Sequence, residues 1–292
     1  MKRLVLSAAA TALLLSPLAC DLGKTGNQIL AENVMVGTLF STPDVNVSAA
    51  AMAGYDAGTL PDGGIPEGER ITIPGQTAAF VFFGSRSSEQ GTPQPLANAT
   101  VRLEPQNGSP LSLENKGAGT YGQTSDFLGD GGIKYQSGAT YRFVATQGGS
   151  SYVGVVEEAP ALERIARLHP PEGFVSHTAN QGLSLQRPAV AGNQVRTLGF
   201  VTVVPLGTNG EKGEPTYTNA PKEPLDFLEI VLSPVEWQKE TIVIPGSAFP
   251  KPGSNYLVVF QTVKTGGPES ENLFVGSALL VGTADLGMVH TK

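Results

Sequence analysis

From residue 28 onward the apolar residues of this chain come in short runs, four to seven residues in the clearest cases, bounded by clusters of Gly, Pro and Asn. That run length limits the fold more than any other feature. Val34–Phe40 (VMVGTLF), Thr77–Phe83 (TAAFVFF), Thr100–Leu103 (TVRL), Tyr141–Ala145 (YRFVA) and Tyr152–Val156 (YVGVV) lie in the first half. Phe200–Val204 (FVTVV), Phe227–Leu232 (FLEIVL), Thr241–Ile244 (TIVI) and Tyr256–Phe260 (YLVVF) lie in the second. Val, Phe, Tyr and Thr suit a pleated, half-buried surface, and runs this short are strands rather than helices of ten or more residues. The 36 Gly and 22 Pro supply the turns. Only Ala159–Leu168 (APALERIARL) has a helical period, with Leu162, Ile165, Ala166 and Leu168 along one face. Pro160 near its start and His169-Pro170-Pro171 at its end limit it to at most two or three turns. Many strands, few helices and dense turn signals predict an all-β sandwich architecture.

An internal echo predicts two such units. Gly138-Ala-Thr-Tyr141-Arg-Phe-Val144 recurs as Gly253-Ser-Asn-Tyr256-Leu-Val-Val259. Each copy is followed by an expected second strand sharing aromatic-Val-Gly, Tyr152-Val153-Gly154 and Phe274-Val275-Gly276. Gly-x-x-Tyr opening a late strand resembles the tyrosine corner of immunoglobulin-like and fibronectin type III-like sandwiches, where the ring packs at the inter-sheet corner and the hydroxyl bonds upstream backbone. The resemblance implies two tandem β-sandwich domains, each of about seven strands. They are expected at 28–158 and 159–292, with 159–168 as connector. Tyr141 and Tyr256 are expected to be buried in separate cores that melt independently. Ala53–Gly75 and Pro205–Pro224 are polar, Gly/Pro-rich and too long for hairpin turns.

The N-terminus reads as an address. Lys2 and Arg3 precede the apolar stretch Leu4–Leu15 (LVLSAAATALLL). As a helix it would reach only about 18 Å, short of the roughly 30 Å of a bilayer core, which is the profile of a signal peptide. Ser16-Pro17-Leu18-Ala19-Cys20 follows, and Cys20 is the only cysteine of the chain. This resembles the lipobox of bacterial lipoprotein precursors, with small Ala19 before the Cys and Pro17 where that family usually carries Leu. The resemblance implies cleavage after residue 19, lipidation of Cys20, and anchoring of residues 20–27 to a membrane of the bacterial envelope as a short polar tether. Plain secretion is the alternative. Asp21 resembles an inner-membrane retention signal and leaves inner and outer membrane both open. Removing residues 1–19 takes Lys2 and Arg3 from the 19 basic residues, leaving 17 against 26 acidic, or −9. Acyl chains would then hold the protein without electrostatic help.

Motifs for chemistry are sparse. An acidic chain without a basic run excludes nucleic acid as a partner. Gly117-Ala-Gly119-Thr-Tyr-Gly122 matches G-x-G-x-x-G, but Gln123-Thr-Ser-Asp follows, so no helix can start there to face a pyrophosphate, and the segment reads as a turn into a strand. His169, His177 and Glu172 could ligate zinc, though their place around Pro170-Pro171 suits a linker. Asp56 and Asp62, and Asp126 and Asp130, could offer oxygens to calcium, but neither run has an EF-hand ligand ladder. Trp237, the single Trp, reads as a core residue or an exposed stacking platform, and Tyr55 and Tyr217 lie inside the long insertions. No nucleophile elbow and no H-E-x-x-H is present. The expectation is therefore an envelope lipoprotein without cofactor, serving as an interaction or scaffold module toward an envelope protein or a glycan. A glycan- or calcium-binding accessory protein is the alternative, and a hydrolase with carboxylates converging only in three dimensions is the third reading.

Overall fold

A computed structural model describes residues 22–48, 70–73, 75–86, 93–125, 133–192, 194–207, 213–221, 230 and 233–292. Among the described residues, helix α1 (Leu22–Leu30) precedes the strands β1 (Asn33–Ser41), β2 (Val45–Ser48), β3 (Arg70–Ile73), β4 (Thr77–Ser85) and β5 (Gln94–Pro95). Next come β6 (Thr100–Pro105), β7 (Leu111–Gly117), β8 (Thr120–Thr124), β9 (Tyr141–Gln147) and β10 (Ser150–Val156). The remainder are β11 (Val175–His177), β12 (Leu183–Gln186), β13 (Leu198–Leu206), β14 (Tyr217–Thr218), β15 (Thr241–Ile244), β16 (Asn255–Pro268) and β17 (Ala278–Thr291). The chain is all-β in character, and the short apolar runs form the strands. Phe227–Leu232 lies mostly outside the described residues.

Nine strands close on themselves in the order β17-β1-β4-β8-β7-β6-β9-β10-β16, and β16 pairs with β17 to complete the ring. Inside it pack Met35, Leu39, Phe83, Leu103, Tyr141, Phe143, Leu279 and Val281, each 0% exposed. A second core lies where β11, β17, β16, β13 and β14 form one sheet and the β12–β15 pair covers it. Leu183, Leu185, Val201, Val203, Ile244, Phe249, Val258 and Phe260 fill that space. Tyr141 and Tyr256 therefore sit in different cores, and their local geometry repeats. Gln136 donates its backbone N–H to the Tyr141 hydroxyl at 2.7 Å, and Lys251 donates to the Tyr256 hydroxyl at 3.1 Å. Gly138 (φ +77°) and Gly253 (φ +64°) take the left-handed conformation that lets the chain turn into each strand.

Three expectations change. The helical period of the connector yields less than the upper bound of two or three turns: only Ala166–Leu168 forms a 3₁₀ turn. The Ile165 N–H donates instead to Asp285 Oδ2 of β17 at 2.8 Å, and Ile165 and Leu168 are buried without a longer helix to carry them. The polar tether over 20–27 is replaced from Leu22 onward by α1. Two glycines weaken that helix intrinsically, but contacts with the chain before β17 hold it. Phe274-Val275-Gly276 is no strand; it belongs to the loop before β17, where Phe274 stacks under the Arg86 guanidinium, 3.4 Å from its ring centroid.

The C-terminal hairpin also crosses the division expected at 158/159. Val36–Ser41 of β1 pairs in parallel with Ala278–Thr283, and Gly154–Val155 of β10 pairs with Gly267–Pro268. The far ends of the same two strands, Tyr256 and Val289, lie opposite each other in the second core. No strand spans residues 157–174, and among the described residues the hairpin is the β-structure common to both cores.

Candidate functional site

The alternation Leu183-Ser-Leu185-Gln186 continues into Arg187, which places an arginine at an inward position of the second core. A buried guanidinium must find partners, and this one finds several. Nε and Nη2 donate to the two Glu163 carboxylate oxygens at 2.9 and 2.7 Å, and Nη1 donates to the Trp237 carbonyl at 3.2 Å. The Thr197 hydroxyl accepts from Nη2 at 3.1 Å and donates to Glu163 Oε1 at 2.7 Å. Burial pushes the Glu163 carboxyl up, but the hydrogen bonds and charge of Arg187 outweigh it, and the group lies below the usual carboxylate range. This cluster pins the connector against β12.

Beside it runs an open groove of about 610 Å³, lined by Arg164, Ala166 and Arg167 of the connector and by Ser184, Gln186 and Thr241. The β12–β15 register explains what this groove presents. Arg187 donates its backbone N–H to the Glu240 carbonyl at 2.9 Å, so in the antiparallel alternation Leu185/Ile242 and Leu183/Ile244 are the hydrogen-bonded pairs. Ser184 and Gln186 therefore turn their backbone groups away from β15. The Ser184 carbonyl accepts from Arg167 Nη1 at 2.9 Å. Among the described residues, the Ser184 N–H and both backbone groups of Gln186 have no protein partner. The result is a short open strand edge facing two exposed arginines.

The residues singled out from sequence are dispersed. His169 Nε2 lies 2.8 Å from Oδ1 of the buried Asp285, whereas His177 Nε2 meets the Gln181 carbonyl and its ring stands edge-on to Phe249. Glu172 is exposed, and no group of three or more metal-ligating side chains occurs among the described residues. Trp237 is half-buried, donates Nε1–H to the Asn219 carbonyl at 2.9 Å, and packs on a small outer cluster of Leu198, Phe200, Ile230, Val263 and Leu280. Tyr217 lies in edge strand β14 against the second core, and burial raises its pKa. Gly117–Gly119 form the turn between β7 and β8. Cys20, Tyr55, Asp56, Asp62, Asp126 and Asp130 lie outside the described residues. Sequence reading passed over Arg164, Arg167 and Arg187, although an arginine in the inward register of an alternating run was a signal in plain view. No protein-family model matches the chain, and no curated protein matches it significantly.

Proposed function

We propose that this chain is a lipid-anchored protein of the bacterial cell envelope that works by binding rather than by catalysis, through two immunoglobulin-like modules. Cys20 behind a short apolar stretch supports the anchor, and the repeated donation of a backbone N–H to the hydroxyl of the tyrosine five residues downstream supports the kinship of the modules. The observation that carries the binding reading is the open edge of β12 beside Arg164 and Arg167. An extended segment of a partner protein adds to such an edge through its main chain, and side chains of opposite charge fix its identity. In a chain of net charge −7, two exposed arginines at that edge select an acidic segment.

Two experiments test this. Expression in a bacterial host with an alkyne-bearing fatty acid labels the wild-type protein and leaves Cys20→Ser unlabelled; a wild-type protein of mature mass without label refutes the anchor. The peptide acetyl-Glu-Val-Glu-Val-Glu-Val-amide, followed by fluorescence polarisation, binds wild type and loses at least about tenfold in affinity with the double variant Arg164→Glu, Arg167→Glu. Equal binding of the corresponding Lys-Val peptide refutes the acidic-partner reading.

A further inference from the structure

Helix α1 is amphipathic the wrong way round for a helix docked on a protein. Its buried side chain is polar: Gln28, 7% exposed, donates Nε2 to the Pro268 and Ser270 carbonyls at 3.2 and 3.3 Å. The Gln28 carbonyl accepts the Val275 N–H at 3.0 Å, and Asn27 Nδ2 reaches Glu271 at 2.9 Å. Arg86 holds the C-terminal end by donating to the Ile29 and Ala31 carbonyls at 3.0 and 3.3 Å. At about 100° per residue, Leu30 lies roughly 160° around the helix from Gln28, and Ile29 lies about 100° from it, on the outer side. Leu30 is 79% exposed and Ile29 44%. A surface helix ordinarily buries its apolar stripe, so Gln28 inward with Ile29 and Leu30 outward leaves the apolar arc for something outside the protein.

We propose that this arc lies in the lipid interface, so that the protein is held rigidly against its membrane instead of hanging from a flexible tether. The proposal rests on the lipid-anchor reading of Cys20. Only Asp21 separates Cys20 from the first residue of α1, and two residues of extended chain reach about 7 Å. Acyl chains on Cys20 can enter the bilayer only if the start of α1 stands that close to it. Since the processed chain is acidic, apolar insertion of the arc, and not headgroup attraction, is the contact available to it. The helix is bonded to the loop joining β16 to β17, so that loop marks the membrane-facing end. Both strands of the hairpin are 14 residues long, on the order of 46 Å. The second core and its groove are then carried at the far end, away from the lipid.

The single cysteine makes the test clean. Acylation consumes the Cys20 sulfur, so the lipidated wild-type protein takes up no thiol-reactive NBD dye, and Leu30→Cys or Val243→Cys takes up one. Both positions are exposed, at 79% and 61%, and tolerate the change. The full-length lipidated variants are reconstituted into phosphatidylcholine vesicles. The expected result is a severalfold rise and blue shift of NBD emission at Leu30→Cys, quenched by brominated lipid, with no change at Val243→Cys. Identical emission at the two positions, on protein that floats with the vesicles, overturns the proposal and leaves the anchor standing. Dye uptake by the wild type, together with failure to float, overturns the anchor and the proposal together.

Discussion

The Arg187 guanidinium, with none of its side-chain surface exposed, grips the Glu163 carboxylate through two hydrogen bonds of 2.9 and 2.7 Å. Removing one partner strands a buried charge, which costs about 3–5 kcal/mol, whereas removing both is far milder. Arg187→Met is therefore expected to lower stability by that amount in urea denaturation, and the double variant Arg187→Met, Glu163→Met to recover most of it. Arg187→Lys should not rescue, because an ammonium cannot serve Glu163, Thr197 and the Trp237 carbonyl from one plane.

The same pair sets a pH dependence. Glu163 has a folded-state pKa lowered by Arg187, and in the unfolded chain it titrates near about 4.3. A depressed carboxylate contributes stability that is present above the unfolded value and lost as pH falls through the folded one. Melting temperature should fall on acidification below about pH 4.3, and Glu163→Gln should flatten that fall relative to wild type. Parallel curves for the two proteins would assign the acid sensitivity to other carboxylates.

Tyr256→Ala should open a cavity in the second core and cost about 3–5 kcal/mol. Because β16 and β17 thread both cores, the loss should shift a single calorimetric transition of the whole chain. That replaces the independent melting expected from sequence, and two transitions, only one of them displaced, would show the cores to be thermodynamically separate. Tyr141→Phe and Tyr256→Phe each leave a backbone amide without its acceptor and should cost about 1–3 kcal/mol.

Ring closure depends on Gly266. A side chain there would run into the Val155 carbonyl oxygen of β10, which is backbone and cannot swing aside. Gly266→Ala should part β16 from β10, destabilise the protein by about 1–3 kcal/mol, and speed amide exchange around Gly154 and Val155. Unchanged exchange there would place the closure elsewhere.

Local pattern alone determined most of the strands and the paired turns into Tyr141 and Tyr256, because run length, β-branched content and Gly-x-x-Tyr spacing act over a few residues. Period-two alternation states which side chains of a strand turn inward but not which strand lies beside it. The parallel pairing of β1 with β17, some 240 residues apart, is invisible to it. Ala159–Leu168 shows the converse case: its spacing suits a helix, yet Asp285, distant in sequence, accepts from the Ile165 N–H, and only Ala166–Leu168 winds into a single 3₁₀ turn. Likewise α1 exists despite Gly23 and Gly26 because Arg86 and the 268–275 backbone hold it. Where a backbone group or a charge is satisfied by a residue far along the chain, only the tertiary structure decides its conformation, since the free energy that fixes it resides in that distant partner.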